Sequence, residues 1–289
     1  MKAGFVSIFG RPNAGKSTLL NALMGEKLAI VSPKVQTTRH RIKGIVTEPG
    51  YQLIFSDTPG IIEPKYKLQE KMMMAVKQAL EDTDVALLLV SIKEDWKEAG
   101  DLFESLRLKV PAIVVINKTD DAGKQKKQEA VQFFSSQSWC KEVVSVSALK
   151  NEGIRELIEV ILKYVPEGEP FFGEDQLTDL STRFFVAEMI RGKIFFLYEE
   201  EIPYHATVLV QEFKEKDTLT KIQADIIVQR ESQKAIIIGE GGKKIKELGT
   251  LARKDIEAFV GRKVFLELLV KVRAKWRDND IYLKEYGYQ

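Results

Sequence analysis

The chain is 289 residues long, 44% hydrophobic and 30% charged, a length that allows two domains and a balance that excludes disordered or fibrous classes. Lys and Arg number 44 against 42 Asp and Glu, so net charge names no partner, while one cysteine, Cys140, and two histidines, His40 and His205, exclude a disulfide scaffold and a multi-cysteine zinc site. No run of eighteen apolar residues is present and a glycine loop follows Met1 within ten residues, which argues against a spanning helix and a signal peptide and for a cytoplasmic location.

In the first half, the apolar runs Gly4–Phe9, Tyr51–Phe55, Val85–Val90, Ala112–Ile116 and Val143–Val146 read as buried strands. Amphipathic stretches such as Lys67–Leu80 and Gly153–Val165 lie between them. This is the pattern of an α/β fold, a mainly parallel sheet with helices on both faces. Ile45–Val46 and Tyr51–Phe55 are separated by a turn at Glu48–Gly50 too short for a crossover helix, so that pair is expected to be an antiparallel hairpin.

The pattern stops at Pro166, and Pro166–Asp175 is acidic and rich in Pro and Gly. The expected division is a domain at 1–166, a linker at 167–180 and a second domain at 181–289. A helix near 180–191, strands near 204–213 and 218–229, helices across 232–260 and a strand Lys263–Val272 predict a small α+β domain. The charge is unevenly spread: residues 230–277 hold 13 basic and 6 acidic side chains, a net +7.

Gly10-Arg11-Pro12-Asn13-Ala14-Gly15-Lys16-Ser17 is a full G-x-x-x-x-G-K-[ST] phosphate loop, placed after a strand and opening a helix at Lys16–Met24 that includes Thr18. Backbone N–H groups and the helix N-terminus would hold phosphates, Lys16 would bridge the β- and γ-phosphates, and the Ser17 hydroxyl would ligate Mg²⁺. Asp57-Thr58-Pro59-Gly60 ends a strand. There Asp57 would reach Mg²⁺ through water and the Gly60 N–H would meet the γ-phosphate. Asn117-Lys118-Thr119-Asp120 ends another strand, on the carboxyl edge where open parallel sheets bind ligands. The Asp120 carboxylate can accept both guanine N1–H and N2–H, donors that adenine lacks, and Lys118 would lay its stem over the base. Ser147-Ala148-Leu149 follows a further strand and fits a second base contact through backbone N–H.

The order of these motifs resembles the translation-factor-like GTPases over residues 3–165. That resemblance implies bound GTP or GDP with Mg²⁺, and a first switch at Gln36–His40. It gives Thr38 as the residue that ligates Mg²⁺ through its hydroxyl and holds the attacking water through its carbonyl, with Thr37 as the competing assignment. Lys16, Thr38 and Gly60 are the implied catalytic set. Ile61 stands where Ras-like enzymes place a water-positioning glutamine. In this hydrophobic-substituted class an Asn at the place of Asn13 can coordinate K⁺, and Asn13 is read either so or as a loop-shaping residue.

Ile238-Gly239-Glu240-Gly241-Gly242-Lys243-Lys244, followed by Lys246, joins an apolar helix to a basic one. It resembles the I-G-x-x-G core of the KH RNA-binding domain, in which small glycines bring the loop backbone against phosphates and lysines add charge. The element order is that of a type II KH fold, with Ile236–Ile238 and Ile245 expected to face bases. A phosphate-loop GTPase domain followed by one such domain resembles the Era family over nearly the whole chain. This implies a protein that binds the 3′ end of small-subunit ribosomal RNA and assists assembly of the small ribosomal subunit; the sequence leaves the oligomeric state open, with a monomer favoured. The alternatives are a regulatory GTPase recruited to the inner face of the cell membrane by its basic C-terminal face, and an RNA-binding protein that uses GTP only to hold its shape. Met72–Met74 read as packing residues, Cys140 as a buried small residue, and Tyr198–Glu201 as a solvated acidic edge.

Overall fold

The computed structural model describes residues 1–32 and 34–288. The chain forms two compact units: Met1–Glu63 with Met72–Asp179, and Pro64–Lys71 with Leu180 onward.

In the first unit, β1 (Lys2–Phe9) leads into α1 (Lys16–Met24), β2 (Ile42–Glu48) and β3 (Tyr51–Asp57), then α2 (Lys67–Glu81), β4 (Val85–Ser91), α3 (Trp96–Ser105), β5 (Ala112–Asn117), α4 (Lys124–Ser135), β6 (Glu142–Ser145) and α5 (Ile154–Tyr164). The six strands lie in the order β2-β3-β1-β4-β5-β6. Every neighbouring pair is parallel except β2 and β3, the expected hairpin. All seven residues of β4 and all six of β5 are buried, the signature of a sheet covered on both faces. On one face Phe9, Leu88, Val90, Val114 and Ile116 pack with Val76 of α2, Phe103 of α3 and Phe134 of α4. The alternating residues Ile8, Leu87, Leu89, Ile113 and Val115 are equally buried.

Residues 165–179 are fastened to this unit. Lys2 reaches the Val165 carbonyl, and the Phe5 and Phe171 rings lie 4.8 Å apart. The fully buried Gln52 of β3 accepts from the amides of Phe171 (2.7 Å) and Phe172 (3.0 Å) and donates to the Phe172 carbonyl (2.9 Å). Along β2, which is the edge strand of the sheet, Ile45 N donates to Leu177 O, Thr178 Oγ1 donates to Lys43 O, and Lys43 pairs with Asp179 at 2.8 Å. The segment thus occupies part of an otherwise open sheet edge.

The second unit contains α6 (Thr182–Leu197), α7 (Ile202–His205), β7 (Thr207–Glu215), β8 (Thr220–Val228), α8 (Glu231–Ile238), α9 (Lys243–Val260), β9 (Val264–Val272) and α10 (Asp280–Glu285). Ser181 starts α6 by accepting from the Phe184 amide. The sheet order is β7-β8-β9, with β7 antiparallel and β9 parallel to β8. Ile222, Ala224, Ile226 and Val228 of β8 pack against Ile190 and Ile194 of α6, Ile237 of α8, and Leu248, Ala252 and Ile256 of α9. Period 2 on the strand meets period 3.6 on the helices, and one core results.

Two expectations need correction. Tyr198 is not part of a solvated edge: it is 2% exposed and its hydroxyl donates to the Ile237 carbonyl at 2.7 Å. The apolar run Ile236–Ile238 does not face outward as a block, because Ile236 is 44% exposed whereas Ile237 is wholly in the core. Consecutive residues on a helix point about 100° apart, so three in a row cannot share a face. Met72 is buried and Met74 exposed, for the same reason.

Candidate nucleotide site and nucleic-acid interface

The phosphate loop runs from β1 to α1. A Cβ at Gly10 would sit 2.4 Å from the Leu89 carbonyl oxygen, and one at Gly15 would sit 2.3 Å from Asn117 Nδ2. Both positions therefore require glycine. Lys16 is 6% exposed and donates to the carbonyls of Gly10 (3.1 Å) and Arg11 (2.9 Å). Burial lowers its pKa to about 8, although Asp57 and Glu94 pull the other way.

Three oxygen-bearing side chains converge beside it. Ser17 Oγ donates to Asp57 Oδ2 at 2.7 Å, Thr38 Oγ1 donates to the same oxygen at 3.1 Å, and the two hydroxyls lie 2.8 Å apart. Asp57 Oδ1 is buried and, among the described residues, has no hydrogen-bond partner. Burial pushes the Asp57 carboxyl above its ordinary pKa, against the pull of Lys16, Ser17 and Thr38. An uncompensated buried oxygen among hydroxyl and carboxylate donors fits a hard divalent cation such as Mg²⁺. Thr38 is the threonine brought to these groups; Thr37 lines the same cleft. Asn13 also lines it, at φ 65, a left-handed conformation that Asn tolerates better than most residues.

Switch and phosphate loop touch directly. Thr58 donates to the Ile8 carbonyl, and Ile61 N donates to Gly10 O at 3.2 Å. A Cβ on Gly60 would come within 2.8 Å of the Pro12 ring. At the far end of the cleft, Asp120 Oδ1 accepts from Ser147 Oγ at 2.6 Å. That bond is the largest influence holding the Asp120 carboxyl below its ordinary pKa, so it stays ionised. Lys118 donates to Asn13 O at 2.7 Å. The cleft, of about 400 Å³, is also lined by Pro12, Ile30, Val31, Gly60 and Leu149.

The part played by Asn117 was not legible from its motif. It is 2% exposed; its Nδ2 donates to Ala14 O at 3.0 Å and its Oδ1 accepts from Ala148 N at 3.1 Å. It ties the phosphate loop to the Ser147–Leu149 loop across 103 and 31 residues of sequence.

In the second unit, Gly239, Gly241 and Gly242 have φ of 70, 57 and 75. A Cβ on Gly239 would approach Lys244 at 2.8 Å, whereas Gly241 and Gly242 face open space. The loop ends at the N-terminus of α9, a favourable seat for a phosphate. Lys243 and Lys246 are exposed, and Lys244 lies 5.6 Å over the Tyr198 ring. From the loop a groove of about 400 Å³ runs between α9 and the edge strand β9, lined by Ile245, Lys246, Gly249, Thr250, Arg253, Phe265, Leu266 and Leu268. Arg253 and the 55%-exposed Phe265 were not singled out by sequence. The spacing 246, 249, 250, 253 along one helix face is the signal that would have found Arg253.

Two families match the chain: 50S ribosome-binding GTPases over residues 5–118 and KH domains over residues 201–277. The GTPase Era of Clostridium botulinum is 46% identical over 292 residues, covering 100% of this chain and 98% of that protein. The chain belongs to the GTPase Era family. The GTPase Era of Geotalea uraniireducens is also 46% identical over 293 residues. An Aquifex aeolicus Era variant bound to GDP and aluminium fluoride superposes with a TM-score of 0.96 at 42% identity, covering 100% of this chain and 99% of that one. An Era solved with MgGDPNP and nucleotides 1506–1542 of 16S ribosomal RNA gives 0.95 at 43% identity, with the same coverage.

Proposed function

We propose that the chain is a GTP-hydrolysing switch that binds the 3′ end of small-subunit ribosomal RNA through its KH domain and assists assembly of the small ribosomal subunit. GTP hydrolysis by a Mg²⁺-dependent phosphate-loop site rests on family membership together with the Ser17–Thr38–Asp57 cluster. Ser17 and Thr38, with Asp57 through a water, would hold Mg²⁺, which would neutralise charge on the phosphates. Lys16 leaves its two carbonyl contacts to meet the β- and γ-phosphates, and the Gly60 N–H meets the γ-phosphate. Asp120 and Lys118 choose guanine, with Ala148 N–H beside the base. The attacking water is oriented by the Thr38 carbonyl, because Ile61 has no group to hold it.

RNA recognition rests on the Gly239–Gly242 loop, the lysines that follow it, and the Phe265-lined groove. Phosphates approach the glycine backbone while unstacked bases lie along the groove and the edge of β9. The relative solved with 16S ribosomal RNA nucleotides supports that choice of RNA. A cytoplasmic site of action fits this partner, and among the described residues no helix is long and apolar enough to cross a membrane.

The single observation that carries the proposal is the pairing of a GTPase site with a positive-φ glycine loop heading a basic helix in one chain. Titration of the 3′-terminal 16S RNA segment with GTP analogue or GDP bound tests it. Nucleotide-dependent affinity supports the switch. Equal, weak affinity in both states, unaffected by changes in the loop, rejects it.

A further inference from the structure

The loop Gly239–Gly242 has few bonds of its own. Gly239 N donates to Ala235 O at 2.9 Å and Gly242 N to Gly239 O at 3.1 Å, while the Cβ positions of Gly241 and Gly242 face open space. A glycine loop so built needs support from outside to hold one shape. Tyr198, the C-cap of α6, touches the chain on both sides of it. Ahead of the loop, the Tyr198 hydroxyl donates to the Ile237 carbonyl in the last turn of α8 at 2.7 Å. Beyond the loop, Lys244 Nζ lies 5.6 Å over the Tyr198 ring. The Lys244 stem rests on the loop itself, since a Cβ on Gly239 would come within 2.8 Å of Lys244 Cβ and Cγ. Tyr198 is 2% exposed, whereas Glu199, Glu200 and Glu201 after it are exposed.

The two contacts have different consequences. In a continuing helix the Ile237 carbonyl would accept from the N–H four residues on, that of Gly241. The chain instead leaves the helix at Gly239, with φ 70 and ψ 172, and the Tyr198 hydroxyl takes that place. Among the described residues no backbone acceptor meets the Gly241 N–H, and Gly241 is exposed, so this donor stays uncommitted for a phosphate oxygen. Burial first, and the charge of Glu247 second, push the Tyr198 hydroxyl up to about 12, which keeps it a donor. The ring, for its part, attracts the ammonium of Lys244. Rotamer freedom that Lys244 gives up there is not lost again when RNA arrives, and Lys244 is still exposed to a partner.

We propose that Tyr198 is the positioning residue of the RNA loop: it satisfies Ile237 in place of Gly241 and sets Lys244 over the loop, so that the phosphate seat is formed before RNA arrives. The inference rests on the reading of Gly239–Gly242 as the RNA-phosphate site. Without the hydroxyl, the replacement donor for the Ile237 carbonyl is the Gly241 N–H. That would extend α8 and withdraw the N–H from the phosphate, and glycine at 239 permits it because glycine adopts either sign of φ.

The test compares Tyr198→Phe, which keeps the ring, with Tyr198→Leu, which removes both groups, in the full chain. Affinity for the 3′-terminal 16S RNA segment and amide exchange at Gly241 are measured, with urea transitions as the folding control. Tyr198→Phe should bind RNA roughly threefold to tenfold more weakly, and exchange at Gly241 in the free variant should become slower than in the parent. A merely structural role predicts the opposite sign, because a loosened loop exchanges faster; faster or unchanged exchange overturns the proposal. Tyr198→Leu should lose roughly a further threefold. Lys244→Met should then cost less in the Tyr198→Leu background than in the parent, and an equal cost in both overturns the role of the ring. Gly242→Asp separates the two readings. If it leaves RNA affinity intact, the loop is not the RNA site and the proposal falls with it; if it weakens binding while Tyr198→Phe binds like the parent, only the proposal falls. Should the Tyr198 variants not fold, exchange in the parent decides: Gly241 should exchange freely without RNA and be protected with it, and protection in the free protein refutes the proposal.

Discussion

At the scale of single residues, Lys16 carries a measurable signature. Its pKa of about 8 in the free protein arises because burial penalises the charged form. An ammonium bridging phosphates is restored towards its ordinary value, so nucleotide binding must take up a proton wherever the free lysine has lost one. Affinity for GDP should be flat below about pH 8 and decline above it. Calorimetry in two buffers of different ionisation enthalpy should find proton uptake rising towards one between pH 7 and 9. The sign for folding runs the same way: the folded pKa lies below that of the unfolded chain, so this group destabilises the free protein below about pH 8 and the deficit shrinks as pH climbs towards 10.5.

Two substitutions probe neighbouring residues. Asp120→Asn exchanges an acceptor pair for a donor and an acceptor. GTP affinity should fall by about a hundredfold or more, with a gain for xanthosine triphosphate, which offers an acceptor at position 2. Competition binding measures both, and ATP that competes with the parent as well as GTP does would refute the guanine assignment. Ile61→Ala should leave single-turnover hydrolysis within about threefold, since water positioning falls to the Thr38 carbonyl. A hundredfold loss with GTP affinity intact would place the catalytic role back on that position.

At the scale of elements, the junction of α8 and α9 is the informative one. Gly242 sits at φ 75 with open space around its Cβ position, so Gly242→Asp meets no neighbouring atom, although the left-handed backbone strains it, and it brings a carboxylate to the point where phosphates approach. RNA affinity should fall by about 2–4 kcal/mol, roughly thirtyfold to a thousandfold. Lys243→Ala should cost less and reduce the salt slope by about one phosphate contact. RNA titrations at two salt concentrations, with GTP binding as the folding control, read both. The elements here were legible because their periods are clean: α1 begins and ends where the sequence places it, and the strand ahead of each nucleotide motif is a mostly apolar run. The groove was less legible. Phe265 is brought to it by parallel pairing of β8 and β9, and no local pattern encodes its meeting with Arg253 of α9. Tyr198 deceived for a similar reason: three glutamates follow it, yet its ring faces the core and its hydroxyl has a carbonyl partner one helix away. Gln52 and Asn117 are polar residues whose value is the backbone they capture far along the chain, which spacing does not reveal.

At the scale of the whole molecule, the segment after α5 is compositionally a linker and physically an attachment. Gln52→Ala would leave the Phe171 and Phe172 amides without their buried acceptor. It should destabilise the chain by about 2–3 kcal/mol, read as a shift in the urea midpoint. GTP affinity should be little changed, because Gln52 lies on β3 away from the cleft lining.

That attachment also orders events during synthesis. The last helix of the nucleotide unit ends at Tyr164, but Ile45 and Lys43 of the edge strand β2 are met by Leu177, Thr178 and Asp179. A nascent chain that has just released α5 from the ribosome therefore carries a buried Gln52 whose Oε1 lacks the Phe171 and Phe172 amides and a sheet edge still exposed. About fifteen further residues, a second or so of translation at ordinary bacterial rates, must emerge before the edge is closed. A chain cut at Pro166 never leaves this interval, and it should be the form of the nucleotide unit most prone to pair edge to edge with another copy.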